Sequence, residues 1–472
     1  MYPWILETPF GFSVDLSFWQ EIFLLPPNEL IKILIALGGW TILALIFFYM
    51  GAELWLEYRR KFKYVSQWKW VLLAVDIPPL FVQTPKAVEQ IFVHLSGAQV
   101  GPNIGQKYWQ GKKQKWFSFE IVSIEGYIQF LIYTEAEFRD LVEAAVYAQY
   151  PEAEITEVED YAGNIPGIYP NSEYDMFGVE FKLAEPDAYP IRLYPSFEYN
   201  ISKDQVFSDP MAAILENFSR IGTGENFWMQ IIVEPITNKW KERGIEVVKK
   251  IISGKKAANA GVLGSIMSVP QMILQEFFNV WNWSFEPSAP KEEAPPGKVQ
   301  DLTPGNKALV ESIEQKISKI GFKSKLRILY AARKEVYNPS RCIDGFIGAM
   351  NQFHILNSNA LVPHAVTLAH YAFKGYLQDL KKTIFTQAFK KRKIKTGTNP
   401  YILNIEELAT IWHFPLPFVK TPLLQKAGAK RAEPPMSLPV ETLESPFKKK
   451  SGMPYSAPEV VVPPPPEELP YG

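Results

Sequence analysis

The 472-residue chain carries 49 Lys and Arg against 50 Asp and Glu, a net charge of −1, so as a whole it is not a polycation drawn to nucleic acid or anionic lipid. Hydrophobic residues make up 47% and aromatics 14%, enough apolar surface for about two or three packed domains of typical size. One cysteine, Cys342, excludes an internal disulfide framework and fits a reducing compartment.

Residues 1–29 are acidic at Glu7, Asp15, Glu21 and Glu29 and read as a short extracytoplasmic N-terminus. An uncharged apolar run, ILIALGGWTILALIFFYMGA, follows over residues 33–52, closed by Lys32 and Glu53. As a helix it would span about 30 Å, the thickness of a bilayer's hydrocarbon core. A secretory signal would be basic at its front and shorter, so the run predicts a transmembrane anchor within residues 30–55. Ile33, Leu37, Trp40, Leu45, Phe48 and Ala52 mark its length. Arg59, Arg60, Lys61 and Lys63 crowd the far side while only Lys32 precedes the run, so the positive-inside bias puts the body in the cytoplasm. The expectation is a single-pass inner-membrane protein.

Residues 65–160 read as a first α+β module. A strand over 70–77 precedes a helix opened by Thr84-Pro85 and striped by Val88, Ile91, Phe92 and Leu95. Strands over 116–123 and 127–133 flank a Glu125-Gly126 turn, with Phe117, Phe119 and Ile121 on one face and Ile128, Phe130 and Ile132 likewise. Thr134 and Glu137 form a capping-box pattern for a second helix, and a last strand runs over 153–158. That order, strand–helix–strand–strand–helix–strand, is the ferredoxin-like arrangement.

A second module over 170–285 repeats it in part: strands over 174–183, 189–194 and 226–234, a helix opened by Asp209-Pro210, and another over 239–252. Residues 260–283 are apolar but interrupted by Pro270, Gln275, Glu276 and Asn279, which favours an amphipathic helix on the membrane or in a domain interface over a second span. Residues 286–306, rich in proline and charge, read as a linker. The third module, 307–418, has helices opened by Thr303-Pro304 and Asn338-Pro339 around an alternating strand over 322–332, and residues 419–472 form a Pro-rich disordered tail. The fold class expected is α+β: one transmembrane helix, about three ferredoxin-like modules and the tail.

Chemistry is sparse. GQKYWQGKK at 105–113 resembles a phosphate loop but lacks the Ser/Thr and leads into a strand. His94, His354, His364, His370 and His413 show no metal-ligand spacing, and Cys342 borders an apolar stripe as a buried thiol would. The expectation is a non-enzyme without cofactor or metal. Lys390, Lys391, Arg392, Lys393 and Lys395 are the candidate patch for nucleic acid or anionic lipid, with Lys323, Lys325 and Arg327 lining one side of a nearby strand. A solvated charged face is the alternative.

Three strings stand in a familiar order: FSFEIVSIEGYIQFLIYTEAEFRDLVEAAVYAQYPEAEI at 117–155, DPMAAILENFSRIGTGENFWMQIIVEP at 209–235 and ILNIEELATIWHFP at 402–415. They resemble the membrane-anchored accessory region that precedes the motor in FtsK/HerA-type, type IV secretion coupling-protein-like DNA translocases of small-genome bacteria. The resemblance covers most of residues 65–435. The sequence departs from that pattern in having no motor motif after it. The resemblance implies a protein that tethers or organises a separate P-loop DNA-translocating ATPase at the membrane, with self-association as a further expectation, and it carries no catalytic residue over. The alternative is a membrane-tethered nucleic-acid-binding module.

Overall fold

A computed structural model describes residues 5–7, 13–15, 29, 32, 39–78, 83–99, 101, 103–199, 206–207, 209–253, 302–364, 367–368 and 373–416. The chain divides into two units, residues 1–68 with 100–114, and residues 69–99 with 115–472.

In the first unit, β1 (Ile5–Glu7) and β2 (Ser13–Asp15) pair antiparallel, and α1 (Trp40–Tyr58) continues through a π-helical stretch, Arg59–Tyr64. A single helical turn, Ile104–Tyr108, is closed by a reciprocal cap between Asn103 and Gln106. The expected membrane anchor is corrected here. Among the described residues no helix is long and apolar enough to cross a membrane. The described helix runs over Trp40–Tyr58, and its stretch up to Ala52, about 20 Å at 1.5 Å per residue, comes from the apolar run before Glu53 and Glu57 follow. Trp40, Leu45 and Phe48 are exposed on it, Ala52 is half-buried, and Ile33 and Leu37 lie outside the described residues. The single-pass inner-membrane placement falls with the span. Arg59 donates to the Trp109 carbonyl at 2.8 Å and lies over the Trp55 ring, Arg60 is half-buried, and the side chains of Lys61 and Lys63 are outside the described ones.

The second unit is built on one large sheet. In chain order its elements are β3 (Trp70–Asp76), α2 (Pro85–Ser96), β4 (Phe117–Ile124), β5 (Tyr127–Glu135), α3 (Arg139–Gln149), β6 (Glu154–Val158) and β7 (Tyr174–Leu183). There follow the short pair β8 (Glu198–Tyr199) and β9 (Val206–Phe207), then α4 (Pro210–Ser219), β10 (Glu225–Pro235), α5 (Trp240–Ile252) and α6 (Pro304–Ser318). The chain closes with β11 (Gly321–Arg333), α7 (Pro339–Met350), β12 (Leu361–His364), α8 (Lys374–Lys390), β13 (Tyr401–Asn404) and α9 (Ile405–Ile411). The strand order is β12-β7-β11-β10-β4-β5-β3-β6, with β13 pairing the start of β11, and every pairing is antiparallel.

The expectation of three ferredoxin-like modules is therefore corrected to one nine-stranded sheet. β10 and β11, assigned to different modules on either side of the predicted linker, pair continuously from Glu225–Ala332 to Pro235–Phe322. β4 and β10 join the two halves, with Val233 opposite Phe117 and Asn226 opposite Ile124. The physical reason is that both strands are buried along nearly their whole length, and separate modules would expose two rows of unpaired backbone groups on apolar edges. The helix that follows the predicted linker begins at Pro304; residues 286–301, the segment 260–283 and the tail 419–472 lie outside the described residues.

Period-two alternation sends Phe117, Phe119, Ile121, Ile128, Phe130 and Ile132 into the main core beneath α2, α3, α4, α7 and α9. Burying each such side chain contributes roughly 1.5–3 kcal/mol. Local signals set the helix starts: Asp209 accepts from the Met211 amide and Thr303 from the Asn306 amide. One predicted cap differs. β5 runs on to Glu135, whose carboxylate accepts from the Glu137 amide, while Thr134 turns its hydroxyl to the Glu135 carbonyl. The string at 402–415 becomes β13, the reciprocal Asn404–Glu407 cap and α9, and then Trp412, whose ring meets Phe119 edge-on at 4.8 Å.

Candidate functional site

The opposite face of the sheet carries charge. Alternation that buries Phe117, Phe119 and Ile121 on one side places Ser118 and Glu120 on the other. The register then sets Glu180 of β7 beside Arg327 of β11, Arg327 beside Gln230 of β10, and Gln230 beside Glu120 of β4. This polar row crosses four strands and is fully buried. A segment running through Tyr161 and Tyr169 and helix α8 cover it, and Phe385 and Phe389 of α8 pack among Trp228, Leu329 and Ala331. The helix comes this close because position 178 is glycine: a Cβ there would meet the Phe385 ring at 2.4 Å.

After α8 the chain crosses the row as a strap over residues 391–400. Arg392 has φ 46° and closes the helix, with the Lys393 amide donating to the Ala388 carbonyl at 2.9 Å and the Arg392 amide to the Phe389 carbonyl at 3.0 Å. Glycine usually takes this left-handed position. Arginine takes it here because its guanidinium drops onto the row. Nε and Nη2 donate to the two Glu120 oxygens at 3.0 and 3.1 Å, Nη2 reaches Asp160 Oδ1 at 2.9 Å, and Nη1 donates to Asp160 Oδ2. The guanidinium also lies 4.1 Å from the centre of the Tyr133 ring. Glu120 accepts further from Ser118 at 2.7 Å, Tyr161 at 2.8 Å and Gln230 at 3.0 Å. Burial opposes the Arg392 charge, but Glu120, Tyr161 and Asp160 outweigh it and hold its pKa well above the ordinary value.

The other end of the row is tied to the same strap. Arg327 donates to Glu180 at 2.8 Å and to the Lys393 and Thr396 carbonyls, both at 2.6 Å. Thr398 gives Glu180 its amide at 2.5 Å and its hydroxyl at 2.7 Å. Lys325 donates to the Thr396 carbonyl at 2.6 Å, and burial together with the Arg327 charge pushes its pKa down to about 8. A cavity of about 360 Å³ beside this end is lined by Lys182, Asp187, His364, Thr398 and Tyr401 among others.

The predicted basic patch is thus split. Arg392 is buried, Lys390 is half-buried with its ammonium on the Ile165 carbonyl at 2.5 Å, and Lys391, Lys393 and Lys395 are exposed. Arg392 and Ile394 point inward, so the three lysines alternate outward along a strap fixed from beneath. Lys325 and Arg327 do not extend the patch, because both are buried in the row, while Lys323 is half-exposed. Sequence reasoning missed Glu120, Asp160, Glu180 and Gln230. The signal available was a lone carboxylate in the middle of an apolar strand, as in FSFEIVSI and MFGVEFKL.

Away from the row, His413 is buried with Nδ1 on the Ala409 carbonyl at 2.8 Å and Nε2 on Asp209 at 2.9 Å, fastening the end of α9 to the start of α4. Cys342 is buried in the helix-side core, where burial raises its thiol pKa. Among the described residues no group of acidic, histidine or cysteine side chains is placed to hold a metal ion.

Residues 103–426 match the profile of a family described as a domain of unknown function, DUF8128. The comparison with curated proteins gives no match.

Proposed function

We propose, for a chain that belongs to the DUF8128 family, that it is a non-enzymatic binding module whose strap contacts the phosphate backbone of nucleic acid, acting beside a separate DNA-translocating ATPase. One observation carries this reading: Lys391, Lys393 and Lys395 stand exposed in alternation on a strap locked by Arg392, Arg327 and Glu180. Flexible lysines lose rotamer and backbone freedom on binding, and a fixed strap removes the backbone part of that cost. The strap turns at Arg392 rather than running straight, and its three ammonium groups carry positive charge outward from one fixed segment, as contact with a phosphate backbone requires. The setting beside an ATPase is supported by the resemblance of the strings at 117–155, 209–235 and 402–415 to the accessory region of DNA translocases.

The test is binding of the full chain to a fluorescent 30-nucleotide single strand and to the duplex across a salt series. The expected result is salt-sensitive binding, with Lys391→Ala, Lys393→Ala and Lys395→Ala together reducing the magnitude of the log K against log salt slope by about 2–3. Thermal stability should be unchanged, since none of the three is buried. No binding at low salt, or an unchanged slope, overturns the reading.

A further inference from the structure

Helix α8 buries Phe385, Ala388 and Phe389 against the sheet and turns its other side outward. Along that outer side Phe373, just before the helix, Tyr376, Leu380 and Ile384 are 83%, 72%, 44% and 48% exposed. Tyr376, Leu380 and Ile384, four residues apart, keep within one narrow sector of the helix over about 12 Å, and Phe373 stands in the left-handed conformation at its start. Lys374 and Lys381, seven residues apart and both exposed, edge the stripe on one side. Lys381 donates to the Leu368 carbonyl at 2.7 Å, one of the three bonds its ammonium can give. The opposite edge holds Asp379 and Thr383, both half-buried.

We propose that this stripe docks an amphipathic helix of another protein, one whose apolar seam carries carboxylates on the side that faces Lys374 and Lys381. The spacing is that of anchors for a helix laid alongside, and the one-sided charge sets which way the partner is turned. The same asymmetry decides among occupants. A lipid surface would bring both edges to headgroup depth and set Asp379 among phosphates. A second copy packed antiparallel about a two-fold axis would set Lys374 and Lys381 against the same lysines. An acidic partner helix meets neither conflict. The inference is independent of the strap, since none of these residues belongs to it.

The experiment uses the full chain and two fluorescein-labelled 21-residue helical peptides with leucine at a and d, one with glutamate and one with lysine at e and g. The glutamate peptide is expected to bind, Leu380→Asp or Ile384→Asp to weaken it at least tenfold, and Lys374→Glu with Lys381→Glu to shift preference to the lysine peptide. All substituted positions are exposed, and circular dichroism with an unchanged melting temperature checks that the variants fold. Equal binding of both peptides, or binding of neither, overturns the proposal. So does binding to vesicles containing 30% phosphatidylserine, or self-association in sedimentation, that Leu380→Asp abolishes.

Discussion

Arg392 occupies a backbone position that costs a non-glycine residue of order 1–3 kcal/mol, and the network around its guanidinium holds it there. Lys325, under the same strap, is the opposite case: an ammonium that its surroundings disfavour. Its pKa of about 8 lies below the unfolded value near 10.4, so between those two pH values the unfolded chain binds more protons than the folded one. Lys325 therefore contributes stability that grows as pH increases from about 8 to 10. The tyrosines shifted upward by burial, such as Tyr133 at about 12, lose stability only above pH 10, but within the window the Cys342 thiol, raised by burial, works against the rise and the Lys390 ammonium, lowered by burial, adds to it. Urea midpoints taken across pH 8–10 are expected to rise more with pH, or fall less, for the native chain than for Lys325→Met, and parallel profiles would show that Lys325 is not the disfavoured ammonium.

The strap behaves as an element because its charges are shared between two strands and a loop it crosses, β4 and β11 with Asp160. Removing one partner of a buried pair strands the other, at about 3–5 kcal/mol. Arg392→Met leaves Glu120 buried without its cation, and urea unfolding is expected to show a loss of that size. Combining it with Glu120→Gln is expected to recover part of the loss, a non-additivity that a double-mutant cycle measures directly. Additive losses would mean that Arg392 acts through its packing against Tyr133 rather than through charge.

At the scale of the whole second unit, the two halves of the sheet repeat one strand order, once the separate pair β8–β9 and the added β13 are set aside. In each, the fourth, first, third and second strands lie in that order, and the two second strands, β4 and β10, meet in the middle. β3 is indispensable to its half because it pairs with β5 on one side and β6 on the other. The family match starts at residue 103, after β3 and α2. A fragment of residues 103–426 is expected to fail to unfold cooperatively, since it leaves a missing strand between β5 and β6, while residues 69–426 should melt in one transition. Calorimetry of the two fragments checks this, and a cooperative melt of the shorter one would show that the sheet closes without β3.

Much of the local structure was legible in the chain itself. Thr84-Pro85, Asp209-Pro210 and Thr303-Pro304 announce helix starts, and the alternation through 117–133 assigns the core face, because caps and period-two patterns depend on neighbours in sequence. The apolar run pointed to a helix, and residues 40–52 of it are helical; that the described helix carries Glu53 and Glu57 onward to Tyr58, and that no helix among the described residues is long and apolar enough to cross a membrane, emerged only in the structure. The joining of β10 to β4 and β11, and the burial of Arg392 inside a run of lysines, belong to the tertiary structure alone. A strand's own sequence fixes which side chains share a face, whereas its partner, and the carboxylate that will meet a given cation, are set by edges and charges brought together from as far apart as Glu120 and Arg392.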